Sequence, residues 1–191
     1  MGYFTGIMDV YFAPFAALAE DTVTAGPTYD EPEVLGKAIE VTITPGYKEG
    51  KLYASNATVR NIRQVDSYTV SINADKISPA VLKALLGRGE DSNDVQFITG
   101  KDKPADVALG LAYTMDDDTK ELWWLYKGSF SEPVKTGKTE ADNIEYQTPT
   151  IEGTFLRRIY DDQLAAVVDT ATVGLAPAIV TDWFSEVYET A

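Results

Sequence analysis

Gly137-Lys138-Thr139 is the first place in this sequence where residue type and spacing point to chemistry. A Gly-Lys-Thr tripeptide closes the loop whose backbone amides wrap nucleotide phosphates. That loop also needs a glycine separated from the tripeptide by four residues. The position holds Glu132, whose carboxylate repels phosphate, and the nearest upstream glycine is Gly128. No helix of apolar period follows, so the tripeptide reads as part of a polar loop. Asp116-Asp117-Asp118 is the second grouping. A calcium loop alternates oxygen ligands before a glycine and a distant glutamate. Asp116 and Asp118 fit its first positions, but Lys120 and Glu121 fill the next ones. A hairpin turn is the simpler reading. Third, Trp123, Trp124 and Tyr126 could form a platform on which a sugar ring stacks, or else be core and subunit interface. Paired carboxylates for glycoside hydrolysis can be drawn almost anywhere among 30 acidic residues, so no pair stands out.

What the sequence lacks is as informative. It contains no histidine and no cysteine. Ser-His-Asp and Cys-His catalysis, His-ligated metals, thiol chemistry and disulfides are thereby closed. We therefore assign no catalytic, cofactor-binding or metal residue, expect no cofactor, and read the protein as not an enzyme. The 16 basic and 30 acidic residues give a net charge of −14. Such a surface repels nucleic acid and anionic membranes rather than gripping them. No apolar run approaches the roughly 20 residues that a membrane span needs. The N-terminal stretch is apolar but has no Lys or Arg before its apolar part, unlike a secretory signal. Gly6 stands where a myristoylation pattern wants Ser or Thr.

The elements that would position these residues centre on Val107–Phe155. Val107, Leu109, Leu111 and Tyr113 alternate with Ala108, Gly110 and Ala112, a strand with a large face and a small one. A turn at Met115–Thr119 follows. In Glu121–Lys127 neither face is polar, so both must be covered. One cover is the chain's own core; the other is a second layer or another subunit. A third strand is expected at Ile144–Thr148, ending at Pro149.

Upstream, Met1–Ala25 is either an arm that reaches a neighbouring subunit or contains an ordinary first strand at Asp9–Ala13. Glu31–Gly36 has turn character, and Ala38–Thr44 alternates as a half-buried strand. Pro45–Gly50 reads as a loop. Further strands are expected at Lys51–Ala54, Thr58–Val65 and Ser67–Asn73. Pro79–Leu86 reads as a helix. Ser78 is a good N-cap, Pro79 suits the first turn, and Gly87 can take the left-handed terminating conformation. Val81, Leu82, Leu85 and Leu86 make one stripe, worth about 6–12 kcal/mol at most on burial. Gly87–Asn93 is a polar loop and Val95–Thr99 a short strand. Downstream come strands at Thr154–Tyr160 and Ala165–Thr170. Pro177 should break the chain, and Thr181 or Asp182 should cap a terminal helix carrying Trp183, Phe184, Val187 and Tyr188. That stripe needs a partner, which we take to be its own domain. With about nine strands and no composition break, linker or repeat, the fold class is mainly β. We expect one antiparallel sandwich or barrel-like domain over residues 1–191, with a helix on its flank.

Several segments, in order, also carry a resemblance. ALGLAY at 108–113, the acidic turn, WLYKG at 124–128, the Gly-Lys-Thr loop and QTPT-x-EG at 147–153 together resemble the major tail protein of long, non-contractile-tailed bacteriophages. Leu52-Tyr53-Ala54-Ser55-Asn56 is similar to that family's LYADN-type box, with Ser55 in place of an acidic residue. Leu85-Leu86-Gly87 is similar to its helix end, and Leu175–Ala191 has no counterpart. The resemblance implies a structural virion protein that forms rings, typically hexamers, stacked into a hollow tail tube. It implies self-association, contacts with tape measure, terminator and distal tail proteins, and DNA passing through the bore without specific binding. It also implies assembly in the host cytoplasm and residence in the virion. The Glu132–Asn143 loop is similar to the segment bridging one ring to the next, and an acidic bore would let DNA slide. For self-assembly the sequence offers the doubly apolar Glu121–Lys127 strand and the aromatic N-terminus. A monomeric carbohydrate-binding or adhesin-like β-sandwich is the alternative.

Overall fold

The computed structural model describes residues 2–17, 19–54, 57–137, 139 and 147–189, without the side chains of 52–54 and 57–59. Its centre is the hairpin of β8 (Val107–Met115) and β9 (Lys120–Phe130). Around it run β1 (Phe4–Ile7), β2 (Val10–Pro14), β3 (Glu33–Gly36), β4 (Ala38–Ala54), β5 (Ala57–Ala74), β10 (Thr150–Leu156) and β11 (Ala165–Asp169). They form an antiparallel sheet in the order β3-β2-β8-β9-β10-β5-β4, with β1 beside β8 and β11 beside β9. The mainly β expectation holds.

Only Lys37 separates β3, at one end of this order, from β4, at the other. The chain therefore leaves one edge and immediately joins the opposite one. Reciprocal hydrogen bonds pin the crossing: Lys37 N–H donates to the Asp75 carboxylate, and Asp75 N–H donates to the Lys37 carbonyl. This ties the sheet around its own core.

The large face of β8 supplies Val107, Leu109 and Leu111 to the main core, with Phe12, Ile72, Ile151 and Phe155 from other strands. Its small face is small for a reason. A Cβ on Gly110 would lie 2.9 Å from the Trp124 indole, which crosses that position. The pairing steps from Leu109↔Leu125 to Val107↔Gly128, so β9 carries one extra residue there. That bulge reverses the alternation and sends Phe130 to the same core as Leu125.

Helix α1 (Pro79–Leu86) matches its expectation to the residue. Ser78 Oγ accepts from Val81 N–H at 3.2 Å, and Gly87 sits at φ 64° with its N–H on the Lys83 carbonyl. Val81, Leu82, Leu85 and Leu86 are all buried against the main core. Two turns are marginal alone, so this burial makes the helix.

Other expectations are corrected. Glu33–Gly36 is a strand rather than a turn, paired to β2. Pro45–Gly50 lies inside β4 rather than in a loop. Pro45 is tolerated because β4 is an edge strand, where a missing amide breaks no ladder. The strand expected at Val95–Thr99 shrinks to β7 (Gln96–Phe97), paired with β6 (Gly89–Glu90), which occupies part of the expected Gly87–Asn93 loop. The strand placed at Thr154–Tyr160 runs from Thr150 to Leu156. Ile144–Tyr146 lie outside the described residues, and Gln147–Pro149 are not strand. Pro177 starts a helix instead of breaking the chain: α2 is Pro177–Asp182, with the proline in its first turn. Thr181 Oγ1 donates back to the Pro177 carbonyl and is not a cap. Val10–Pro14 confirms the first-strand reading of the N-terminus, and β1 is also paired, to β8.

Gly128 offers a test of this packing. An added Cβ would meet Phe155 Cδ1 at 2.3 Å and the Thr154 carbonyl oxygen at 2.6 Å, whereas one on Gly50 meets nothing within 4 Å. Gly128→Ala should lower stability by about 1–3 kcal/mol in urea unfolding, with Gly50→Ala close to wild type. Equal midpoints for the two variants would contradict the described strand packing.

Candidate assembly surface

None of the chemistry-bearing groupings is assembled into a reaction centre. Gly137 and Thr139 are exposed and outside any regular element, and Lys138 lies outside the described residues. Glu132, which occupies the position of the missing glycine, is ion-paired with the buried Arg88. The aspartate triplet makes a hairpin turn. Asp116 Oδ1 accepts from Tyr3 N–H at 2.8 Å, Asp117 Oδ1 accepts from Thr119 Oγ1 at 2.5 Å, and Asp118 takes φ 61°. The Thr119 hydroxyl bond holds the Asp117 carboxyl below its usual range. The enclosed carboxylate of Asp21 is structural. Burial works to raise its pKa, but the Lys127 ammonium at 2.8 Å and the N–H groups of Ile159 and Tyr160 outweigh that and lower it.

The aromatic platform does not form. Trp124 and Tyr126 are fully buried on one face of β9. Trp123 projects to the other, half-buried, edge-on to Tyr68 at 6.2 Å and donating to Glu121 at 2.6 Å. No sugar can stack across residues on opposite faces. The same burial corrects the expectation that Glu121–Lys127 is an assembly surface. β9 is interior to the sheet, with β8 along one edge and β10 and β11 sharing the other.

The second cover of β9 is the chain's own C-terminal segment. Trp183 and Val187 are buried with Leu122, Trp124 and Tyr126, and Phe184 and Tyr188 pack against them. Polar hooks fix the segment: Trp124 Nε1 donates to the Trp183 carbonyl at 2.8 Å, and Tyr126 OH to the Tyr188 carbonyl at 2.9 Å. Arg158 lies 4.0 Å over the Tyr126 ring and binds Glu189 at 2.5 Å. Tyr29 OH donates to the Tyr126 carbonyl at 3.0 Å. The terminal stripe therefore packs on its own chain, as expected.

What stays bare is an arm. β10 covers β5 from Ser67 to Asn73, and from Tyr47↔Val65 outward no third strand pairs with β4 or β5 among the described residues. The arm extends roughly 25 Å. A two-stranded ribbon alone is marginal in water. One face carries a charged ladder, with Arg63 3.7 Å over the Tyr47 ring and 3.3 Å from Glu49. The opposite face presents Lys48, Ile62 and Arg60 to solvent. Sequence reading divided this arm into a loop and short strands because Pro45, Gly46 and Gly50 punctuate it. Tyr3, Phe4 at the start of β1, and Val167 on β11 are exposed too.

Burial pushes the Tyr126 hydroxyl up to about 12, with the Glu189 charge adding to it. An unfolded tyrosine ionises near 10. Between those values the folded chain holds a proton that the unfolded chain has lost, so stability falls as pH rises through the window. Tyr126→Phe should flatten that alkaline slope and cost about 1 kcal/mol at neutral pH through the lost bond to Tyr188. Urea unfolding across pH 9 to 12 checks it, and parallel slopes in the two proteins would refute the assignment.

No protein-family model and no curated protein matches the chain. Among solved structures it is similar to a chain of the anti-feeding prophage baseplate, at 13% identity and TM-score 0.38, covering 90% of this chain and 100% of that one. A chain of the anti-feeding prophage tube-terminating cap gives 9% identity and TM-score 0.39, over 88% of this chain and 93% of that one. A chain of the PVC sheath–tube complex, an extracellular contractile injection system, gives 11% and 0.39, over 89% and 93%. These neighbours are components of tail-like baseplate, cap and tube assemblies.

Proposed function

We propose that this chain is a tail tube subunit that polymerises as stacked rings into a hollow tube, in the manner of the non-contractile phage tails whose sequence motifs it resembles. One observation carries the reading. Beyond a sheet tied closed by the β3–β4 crossing, the chain from Tyr47↔Val65 outward continues as a paired ribbon with no third strand among the described residues. Such a ribbon gains its stability from another molecule. The enclosed aromatic strand and the absence of histidine and cysteine support a structural role rather than a catalytic one. The net charge of −14 suits a bore through which DNA slides without sticking. In this reading residues 1–191 are one domain, the rings are hexameric, and further tail proteins terminate and measure the tube in the virion.

Purified protein examined by negative-stain microscopy and light scattering over a range of concentration should give rings or hollow tubes. A monomer at every concentration would overturn the reading, and a glycan screen returning a ligand would then favour the carbohydrate-binding alternative. The 132–143 segment supplies a second test. Val134 and Thr150 exchange backbone hydrogen bonds at 2.8 and 3.3 Å, which closes the base of the excursion. Deleting Lys135–Ala141 should therefore leave a folded chain that forms no tubes; tubes of normal length from the deletion would show that the segment does not bridge rings.

A further inference from the structure

Charge is distributed unevenly between the arm and the rest of the chain. Residues 47–65 hold Lys48, Lys51, Arg60 and Arg63 against Glu49 alone. The arm is thus +3 in a chain of −14, which leaves −17 for everything else. Lys51 and Arg63 share Glu49 on one face. On the other, Lys48 and Arg60 have no carboxylate partner among the described residues, and Ile62 lies between them, 41% exposed. Lys48 pairs with Gln64 and Arg60 with Leu52, so the two cations stand four residues apart along the ribbon, about 13 Å. This face is an apolar residue flanked by two unpaired cations.

The opposite pattern occurs beside the C-terminal segment. Two adjoining cavities of about 350 Å³ each share Glu186, Val187 and Glu189 as walls. Asp182 lines the first, and Asp30 and Glu31 the second, while no Lys or Arg lines either. Glu189 is held by Arg158, but no salt bridge engages Asp30, Glu31, Asp182 or Glu186 among the described residues. Ile179 and Val187 provide an apolar floor. Trp183 also lines the first cavity; it is 3% exposed, and its indole N–H has no acceptor among the described residues.

We infer that this acidic cleft is the socket for the Lys48–Ile62–Arg60 face of the arm of a second copy of this chain. The inference rests on the self-assembly proposed above and adds which surfaces meet. Charge complementarity chooses the occupant: an acidic partner protein would be repelled by the cleft, whereas this chain itself carries the matching cationic, apolar-centred ribbon. The arm supplies the cations, Ile62 meets the apolar floor, and the ribbon gains the packing that it lacks alone.

Charge reversal tests this on the full-length protein. Glu31→Lys with Glu186→Lys, and separately Lys48→Glu with Arg60→Glu, should each raise the critical concentration for assembly about tenfold or more. Net charge alone cannot imitate that result, since the first pair brings the chain to −10 and the second to −18. The quadruple variant, back at −14 with both signs exchanged, should assemble again. All four positions are exposed, so each variant should stay folded, which circular dichroism checks. The absence of native cysteine allows a direct readout: mixed Ile62→Cys and Ala178→Cys proteins should give a 62–178 disulfide between differently labelled copies. Normal assembly of the Glu31/Glu186 variant, a folded quadruple variant that stays monomeric, or tubes without the disulfide would each overturn the socket while leaving the tube reading intact. A wild-type chain that never associates would overturn both.

Discussion

A strand apolar on both faces leaves a chain little freedom, and β9 is such a strand. Leu122, Trp124 and Tyr126 point one way, Trp123 and Leu125 the other. Aromatic side chains of this size bury roughly 150–250 Å² each, about 4–6 kcal/mol per ring in area terms. Leaving either face wet is therefore ruinous for a molecule whose whole stability is of order 10 kcal/mol. The rest of the architecture follows. The main core and α1 cover one side, and the segment from α2 to Glu189 folds back over the other. This second cover has little secondary structure of its own, so it is fixed by side chains: two aromatic donors on main-chain carbonyls, and Arg158 clamped between Asp161 and Glu189.

The neighbouring strand is shaped by the same demand. β8 reads large-small-large because its small side must admit the Trp124 ring, which leaves no space for a Cβ at Gly110. The bulge near Gly128 serves the main core in turn. Without the extra residue, Phe130 would face the C-terminal segment; with it, Phe130 meets Phe155 edge-on at 5.7 Å. Two glycines and one inserted residue thus convert a strand pair into a core with two faces.

How much of this is legible in the sequence depends on the range of the forces involved. Helix α1 is written locally, in Ser78, Pro79, Gly87 and a four-residue stripe, and it is read to the residue. The period-two pattern of β8 and the turn after it are also local. The two covered faces of β9 are legible as a requirement, but the identity of the second cover is not, because Trp183 lies 59 residues from Trp124. Proline and glycine mislead in two opposite ways. Pro45 and Gly46 look like loop formers, yet the outward-facing amides of an edge strand bond no neighbour, so a proline at such a position costs no ladder hydrogen bond. Pro177 looks like a breaker, yet at the first turn of α2 its missing amide costs nothing. The cleft beside Val187 has no sequence signature, since Asp30, Glu31, Asp182 and Glu186 come from distant segments and meet only once the C-terminal segment packs on β9.

The outer edge of β4 poses the problem that any long edge poses: along its 17 residues only β5 pairs with it among the described residues. Such edges pair indiscriminately unless something prevents it. Here the deterrents are built in. Pro45 withdraws an amide, the extra residues that β5 carries opposite Gly46/Tyr47 and Leu52/Tyr53 add local twist to the ribbon, and Lys48, Glu49 and Lys51 place charge along it. Backbone pairing with an arbitrary strand is thereby made poor, while the side chains of both faces remain displayed along the ribbon. An edge defended in this way associates through what its side chains select rather than through its hydrogen-bonding groups. Such selectivity is what the proposed tube would require, and charge and bulge placement outside the core can supply it, where no packing constraint of β9 competes.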